Sequence, residues 1–200
     1  MLCKWCLPDA FPGIPSRCYR CQRIGRDSAT CALCRHQTVL KHVWVATAYD
    51  DAAKQLLHVY KFERAQAAAA IIGDAMMDRL PYLPPETLIV PVPTASVRIR
   101  QRGYDHAALL AKRIAAQKGL CWLPGAVRLT QARQVGASRQ QRHDQLKEAF
   151  MIAKPRLIQG ASVLLVDDVL TTGATLETLA KALKQAGAKT VNAVVFAQKQ

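Results

Sequence analysis

The sequence predicts an α/β fold, a mostly parallel sheet with helices on both faces, preceded by a small zinc-binding segment. Three observations predict it. Short apolar runs rich in β-branched residues recur along the chain, as expected of parallel strands buried on both sides. Segments with helical periodicity lie between them, and alternating strands and helices build a parallel sheet with crossover helices. Six of the seven cysteines fall within the first 34 residues as three Cys-x-x-Cys pairs.

Residues 1–36 form the cysteine segment and residues 37–200 the α/β domain. A Cys-x-x-Cys turn aims two thiolates at one ion, and two such turns complete a tetrahedral zinc site. Cys18, Cys21, Cys31 and Cys34 are the favoured ligands, because the nine residues between the two pairs include the turn formers Gly25, Asp27 and Ser28. Cys3 and Cys6 can replace one pair or form half of a second site, and His36 is a spare candidate. A redox dithiol suits any single pair but fits three pairs poorly. Few residues here can build an apolar core, so metal must supply the folding energy.

The elements of the domain follow in order. Residues 43–49 read as a strand, and residues 51–62 as an amphipathic helix with Leu56, Leu57 and Tyr60 on its apolar side. Residues 66–80 give an alanine-rich helix broken by Pro81, and Pro84-Pro85 marks a turn. Residues 88–92 are a strand that ends at its prolines. Residues 98–104 read as a basic loop, residues 105–117 as a helix closing near Gly119, and residues 125–129 as a short strand. Cys121 stands alone beside Trp122 and reads as buried filler. Residues 130–147 are polar, basic and without apolar periodicity, which suggests a mobile functional loop or hairpin. Residues 163–166 are a strand. Residues 176–186 are a helix with apolar positions at 176, 179, 180, 183 and 186, stopped by Gly187. Residues 190–197 are the last strand.

The formal net charge is +14. Residues 98–147 hold eleven Lys or Arg against two acids, a balance of +9, whereas residues 42–97 hold four against six, a balance of −2. Such clustering points to a polyanionic partner such as single-stranded DNA, with Arg133, Arg139 and Arg142 as candidate contacts. A solvated basic face is the alternative. Trp5, Trp44 and Trp122 could stack on bases, although packing is the commoner use of tryptophan. His42, His58, His106 and His143 have no partner readable from the sequence. No apolar run is long enough to span a bilayer and the start lacks the apolar core of a signal peptide, so a cytoplasmic location is expected.

The most informative stretch is residues 163–175, Val-Leu-Leu-Val-Asp-Asp-Val-Leu-Thr-Thr-Gly-Ala-Thr. It places a loop where the carboxyl end of a strand meets the amino end of a helix, the position at which open α/β sheets bind ligands. Free backbone N–H groups and the helix dipole favour a phosphate there. Gly173 and Ala174 permit close approach, and Thr171, Thr172 and Thr175 offer hydroxyls. Asp167 and Asp168 would repel a phosphate; they suit sugar hydroxyls or a divalent cation. A Walker loop is excluded, because no Gly-Lys-Ser/Thr is present.

This stretch resembles the phosphoribosyl pyrophosphate signature of the type I phosphoribosyltransferases. The resemblance implies that Asp167 and Asp168 hold the ribose hydroxyls and that residues 171–175 hold the 5′-phosphate. With the cysteine-rich start and the basic centre, the whole chain resembles the ComF competence family, also described as amidophosphoribosyltransferase-like. Tyr60-Lys61-Phe62 carries that resemblance, as do Val90-Pro91-Val92-Pro93 with Arg98 and Arg102-Gly103-Tyr104, and Thr130, Gln134, Arg142 and Phe150. Asp105-His106 stands where the family usually has Asn-Gln, and Gln145 where it usually has Asn. One cysteine pair of the longer relatives is missing. The resemblance implies a type I phosphoribosyltransferase-like fold, with Lys61, Arg98 and Arg102 on the pyrophosphate side, Mg²⁺ accompanying the pyrophosphate, and residues 130–147 as a hood. Thr171 stands where some purine-salvage members carry a base-contacting acid, which disfavours that reaction.

Three functions remain open at this point. One is a DNA-uptake protein that binds phosphoribosyl pyrophosphate, or a related phosphate ligand, together with single-stranded DNA. The second is an active phosphoribosyltransferase of unknown acceptor. The third is a non-catalytic sensor of phosphoribosyl pyrophosphate.

Overall fold

The computed structural model describes residues 7–63, 67–129 and 149–199. After a short helix α1 (Leu7–Ala10) comes the cysteine segment, then β1 (Leu40–Ala48), α2 (Asp51–Phe62), α3 (Ala68–Met77), β2 (Leu88–Pro91), α4 (Ser96–Arg102), α5 (His106–Lys118) and β3 (Cys121–Trp122). The chain continues through β4 (Ala126–Arg128), β5 (Phe150–Ile152), α6 (Pro155–Ile158), β6 (Ser162–Leu170), α7 (Ala174–Gln185) and β7 (Thr190–Gln198). Five strands form one sheet in the order β1-β7-β6-β2-β3, and every pairing in it is parallel. The expected fold class is therefore the observed one.

Alternation along the strands explains why their sequences are apolar throughout. Trp44 and Ala46 of β1, Leu164 and Val166 of β6, and Val194 and Phe196 of β7 face α2, α3 and α5. Val43 and Val45, Val163 and Leu165, and Val191, Ala193 and Val195 face α7 on the other side. A strand buried on both faces has no solvent side to make polar. The carboxyl ends of β1, β6 and β2 thus share one rim of the sheet. Asp50 Oδ1 caps α2 by accepting from Ala53 N (2.9 Å), and Asp105 Oδ1 caps α5 by accepting from Ala108 N (3.1 Å).

The cysteine segment lies along the outer edge of β1. Thr30 N donates to Lys41 O (2.8 Å) and Val43 N to Ser28 O (3.0 Å), and Gly13 bridges Thr47. These bonds cover a sheet edge that would otherwise expose unpaired backbone groups. Among the described residues no helix is long and apolar enough to cross a membrane.

Three expectations need correction. Residues 98–104 are not a loop, because Arg98, Arg100 and Arg102 lie on helix α4, which ends at Gly103 in the left-handed region (φ 83°). The density of charge hid a segment whose Arg and Gln residues are good helix formers. The expected short strand near 125–129 is present as β4 and pairs antiparallel with β5, outside the main sheet. The signature strand runs on to Leu170, so Asp167 and Asp168 sit within β6 and not after it. Cys121 is exposed, because β3 is an edge strand of two residues. The expectations for Cys3, Cys6, Trp5, His143, Arg133, Arg139, Arg142 and the hood at 130–147 lie outside the described residues.

Candidate functional site

The rim of the sheet opens into a cleft of about 310 Å³ lined by both signature acids, Thr171 and Thr175, and by Lys61, Arg98 and Arg102. Three elements bring these groups together. Strand β6 carries the acids and leads through the threonine loop into α7. Helix α2 carries Lys61 in its last turn, and α4 follows the end of β2 and carries the two arginines. Tyr49, Thr94 and Arg128 complete the wall.

Asp168 is the hub. It is buried, and its Oδ2 lies 2.6 Å from Lys61 Nζ and 3.1 Å from His106 Nε2. Both approach off the hydrogen-bonding directions, so this oxygen is charge-paired yet keeps an open accepting lone pair among the described residues. Burial alone would raise the Asp168 carboxyl, but the His106 ring and Lys61 outweigh it and hold the group well below the usual carboxylate range. Asp167 behaves oppositely. Burial first, and the Asp168 charge second, push it up to about 8, although it accepts from Asp168 N at 2.9 Å. Burial and charge thus shift two adjacent carboxyls in opposite directions, a pattern found where acids meet a ligand.

His106 was missed by sequence reasoning. Its Nδ1 lies 2.9 Å from Arg102 NH1. A guanidinium only donates, so Nδ1 must accept, which leaves the proton on Nε2 facing Asp168. The imidazole therefore lies between Arg102 and Asp168. The cluster His106, Asp167 and Asp168 could hold a metal ion by distance alone, but a protonated Nε2 has no lone pair to offer, so the two carboxylates are the available ligands. The clue in the sequence was position: His106 opens α5 directly after the Arg102-Gly103-Tyr104 corner. That corner is pinned, because Tyr60 donates to His106 O (2.7 Å) and Tyr104 donates to Tyr60 O.

The threonine loop leads into the amino end of α7. Gly173 is the N-cap of α7 with φ 78°, a left-handed conformation natural to glycine. The first backbone N–H groups of α7 follow it directly, beside the cleft.

Residues 64–200 match the model of the phosphoribosyl transferase domain. The chain is 30% identical to DNA utilization protein YhgH of Salmonella typhi over 95% of this chain and 92% of that one. This chain belongs to the phosphoribosyltransferase domain family, in its ComF branch. Competence protein ComFC of Bacillus subtilis (strain 168) is 27% identical over 84% of this chain and 72% of that protein. Competence protein F of Haemophilus influenzae is 34% identical over 52% of this chain and 46% of that protein.

The ComF-type cysteine segment assembles a second centre. Ligand atoms of Cys18, Cys21, Cys31 and Cys34 all lie within 4.8 Å of one another, and Cys21 Sγ is 3.6 Å from Cys31 Sγ. Zn–S bonds of ~2.3 Å in a tetrahedron put sulfurs about 3.8 Å apart, so the four cysteines could hold a metal with little adjustment. Burial raises the Cys18 thiol, but the backbone N–H groups of Cys21, Cys31 and Arg20 outweigh it and bring it down to about 6. Cys34 is pushed up to about 12 by burial and by the neighbouring thiols, a repulsion that a dication would relieve. His36 is exposed and outside the cluster.

A basic groove of about 640 Å³ runs away from the cleft between α2 and α4. It is lined by Lys54, His58, Lys61, Arg98 and Arg102, with no acid among the described lining residues, and by the aromatic rings of Tyr49 and Phe62. Trp44 is buried and Trp122 is half-buried under Lys112, so neither offers a free stacking face.

Proposed function

We propose that this chain is a nucleic-acid-handling protein of DNA uptake that binds phosphoribosyl pyrophosphate, or a closely related phosphosugar, in the cleft. The carrying observation is the opposition of charges across one small space. Asp167 and Asp168, acceptors for sugar hydroxyls, stand on β6. Lys61, Arg98 and Arg102 face them, and an anion-binding helix end closes the third side. A phosphosugar with a phosphate at each end needs this arrangement. Residues 171–175 would take the 5′-phosphate, and the three cations the pyrophosphate. Mg²⁺ would enter with the pyrophosphate and lean on the carboxylates, since it prefers oxygen ligands. The cysteine centre would hold one structural Zn²⁺, and its free thiols suit a cytoplasmic setting.

Single-stranded DNA fits the groove. Its cations match a phosphate backbone, and Phe62, 63% exposed, offers a ring edge at the surface. Arg133, Arg139 and Arg142 would add further phosphate contacts. Lys61, Arg98 and Arg102 line both the cleft and the groove, so pyrophosphate and DNA would compete for them. The test is calorimetric titration of the protein with phosphoribosyl pyrophosphate and Mg²⁺. One binding site is expected, with a raised Tm; at a ligand concentration 100 times Kd the gain is ~2.7 kcal/mol. Absence of both heat and thermal shift would overturn the ligand reading. Pyrophosphate release on adding a nucleobase would instead identify an active transferase.

A further inference from the structure

We infer that the cysteine centre is an effector site for the phosphate loop: Tyr19 and Arg20, held inside the Cys18–Cys21 turn, position Gly173 and Glu177, so metal occupancy and phosphosugar binding strengthen each other. The inference rests on the phosphosugar reading of the cleft.

Tyr19 and Arg20 are the two residues enclosed by one Cys-x-x-Cys turn, and any ion bound by Cys18 and Cys21 fixes their backbone. Tyr19 is 3% exposed and packs on the phosphate loop. A Cβ added to Gly173 would stand 3.1 Å from Tyr19 Cε2 and 3.3 Å from Cδ2, so the ring lies directly on the N-cap of α7. The Tyr19 hydroxyl bonds Glu177 Oε1 and lies 2.6 Å from Thr38 Oγ1. Arg20 NH1 pairs with the same Glu177 oxygen at 2.9 Å. Gln198, at the end of β7, donates to Tyr19 O at 3.4 Å. One turn of the cysteine centre therefore touches the loop, the helix after it and the neighbouring strand.

Glu177 gives the coupling its sign. It lies in the first turn of α7, the turn that would carry the phosphate. Its Oε2 is buried and has no donor among the described residues. Arg20 thus neutralises, and the Tyr19 hydroxyl hydrogen-bonds, a carboxylate at the helix end that would carry the phosphate. If the turn lets go, that carboxylate opposes the phosphate and Gly173 loses the ring that supports it. The segment also needs an ion to stay in place. Among the described residues before Leu40 the buried hydrophobic ones are Phe11, Cys18 and Tyr19, and three non-glycine residues, Gln22, Asp27 and Ser28, stand at positive φ (59°, 54° and 55°). Such conformations persist only where surroundings enforce them. Linkage is reciprocal: if metal raises phosphosugar affinity by some factor, phosphosugar tightens metal by the same factor.

The test uses the full chain loaded with Zn²⁺. Calorimetry first establishes that phosphoribosyl pyrophosphate binds; failure there removes the cleft reading and the coupling with it. Given binding, the rate of Zn²⁺ loss to a chromophoric chelator is measured with and without saturating ligand. Slowing by roughly tenfold is expected, within the 5–150-fold range usual for coupled sites. Inorganic pyrophosphate at equal concentration, which lacks the sugar 5′-phosphate, should slow it much less. Arg20→Gln, a half-exposed change that leaves the cysteines in place, should keep Zn²⁺ at full stoichiometry and reduce the ligand's protection to about twofold or less. Tyr19→Ala should abolish it. Binding with no change in the rate of Zn²⁺ loss, or equal protection in Arg20→Gln and Tyr19→Ala, would overturn the inference while leaving the cleft reading intact.

Discussion

Replacing Asp168 by Asn keeps the shape of the side chain and removes the charge at the hub of the cleft. Asp168 is 4% exposed with Lys61 Nζ at 2.6 Å, and breaking a fully buried pair costs ~3–5 kcal/mol. Two features soften this. Lys61 keeps 18% side-chain exposure and can turn its ammonium towards cleft water. Asp167 also loses the like charge that helps to raise it. A net loss of about 2 kcal/mol is expected, which for a domain of this size lowers Tm by ~4–8 °C. The pH dependence has a definite sign. Asp168 is held below its ordinary range, so its contribution is fully present above the unfolded carboxyl value near ~4 and is lost as pH falls through the folded one. The Tm gap between parent and variant should be open at neutral pH and shrink in acid. Thermal denaturation followed by circular dichroism between pH 3 and 8 measures it. Phosphoribosyl pyrophosphate affinity at neutral pH should fall about 10- to 100-fold, the worth of a hydrogen bond to a charged acceptor. Equal Tm values at neutral pH would refute the hub, and a gap that ignores pH would refute charge as its cause.

Asp167, pushed up to about 8, shows the opposite linkage: its contribution is present below the ordinary carboxyl range and is lost as pH rises through about 8. Parent Tm should therefore carry a downward slope over that window that Asp167→Asn removes, and Mg²⁺-phosphosugar affinity should climb with pH to a plateau above about 8. Elemental analysis should give about one zinc per chain, and Cys18→Ser with Cys31→Ser should lose it; full retention would assign the metal to Cys3 and Cys6. Affinity for single-stranded DNA, read by fluorescence anisotropy, should fall with log salt at ~0.7 per phosphate contacted. Arg133→Gln, Arg139→Gln and Arg142→Gln together should flatten that slope, as should Lys54→Gln in the groove, and unchanged slopes would return these charges to simple solvation.

The sequence by itself determined the parts that local pattern encodes. Strands buried on both faces must be apolar throughout, so residues 43–49, 163–166 and 190–197 announced a parallel sheet. Asp167-Asp168 followed by a threonine-glycine loop announced a ligand at a strand end, and the spacing of Cys18, Cys21, Cys31 and Cys34 announced four thiols around one point. Only the tertiary structure decided which distant groups meet. His106 became a bridge because α4 and α5 place Arg102 on one side of its ring and β6 places Asp168 on the other. Tyr19 came to rest on Gly173, and Arg20 on Glu177, more than 150 residues along the chain, because the cysteine segment follows the edge of β1. The opposite shifts of two adjacent carboxyls likewise come from burial, from the Lys61 ammonium on α2 and from the His106 ring on α5. Such contacts depend on how elements pack, and packing is a property of the assembled layers that no local window of residues contains.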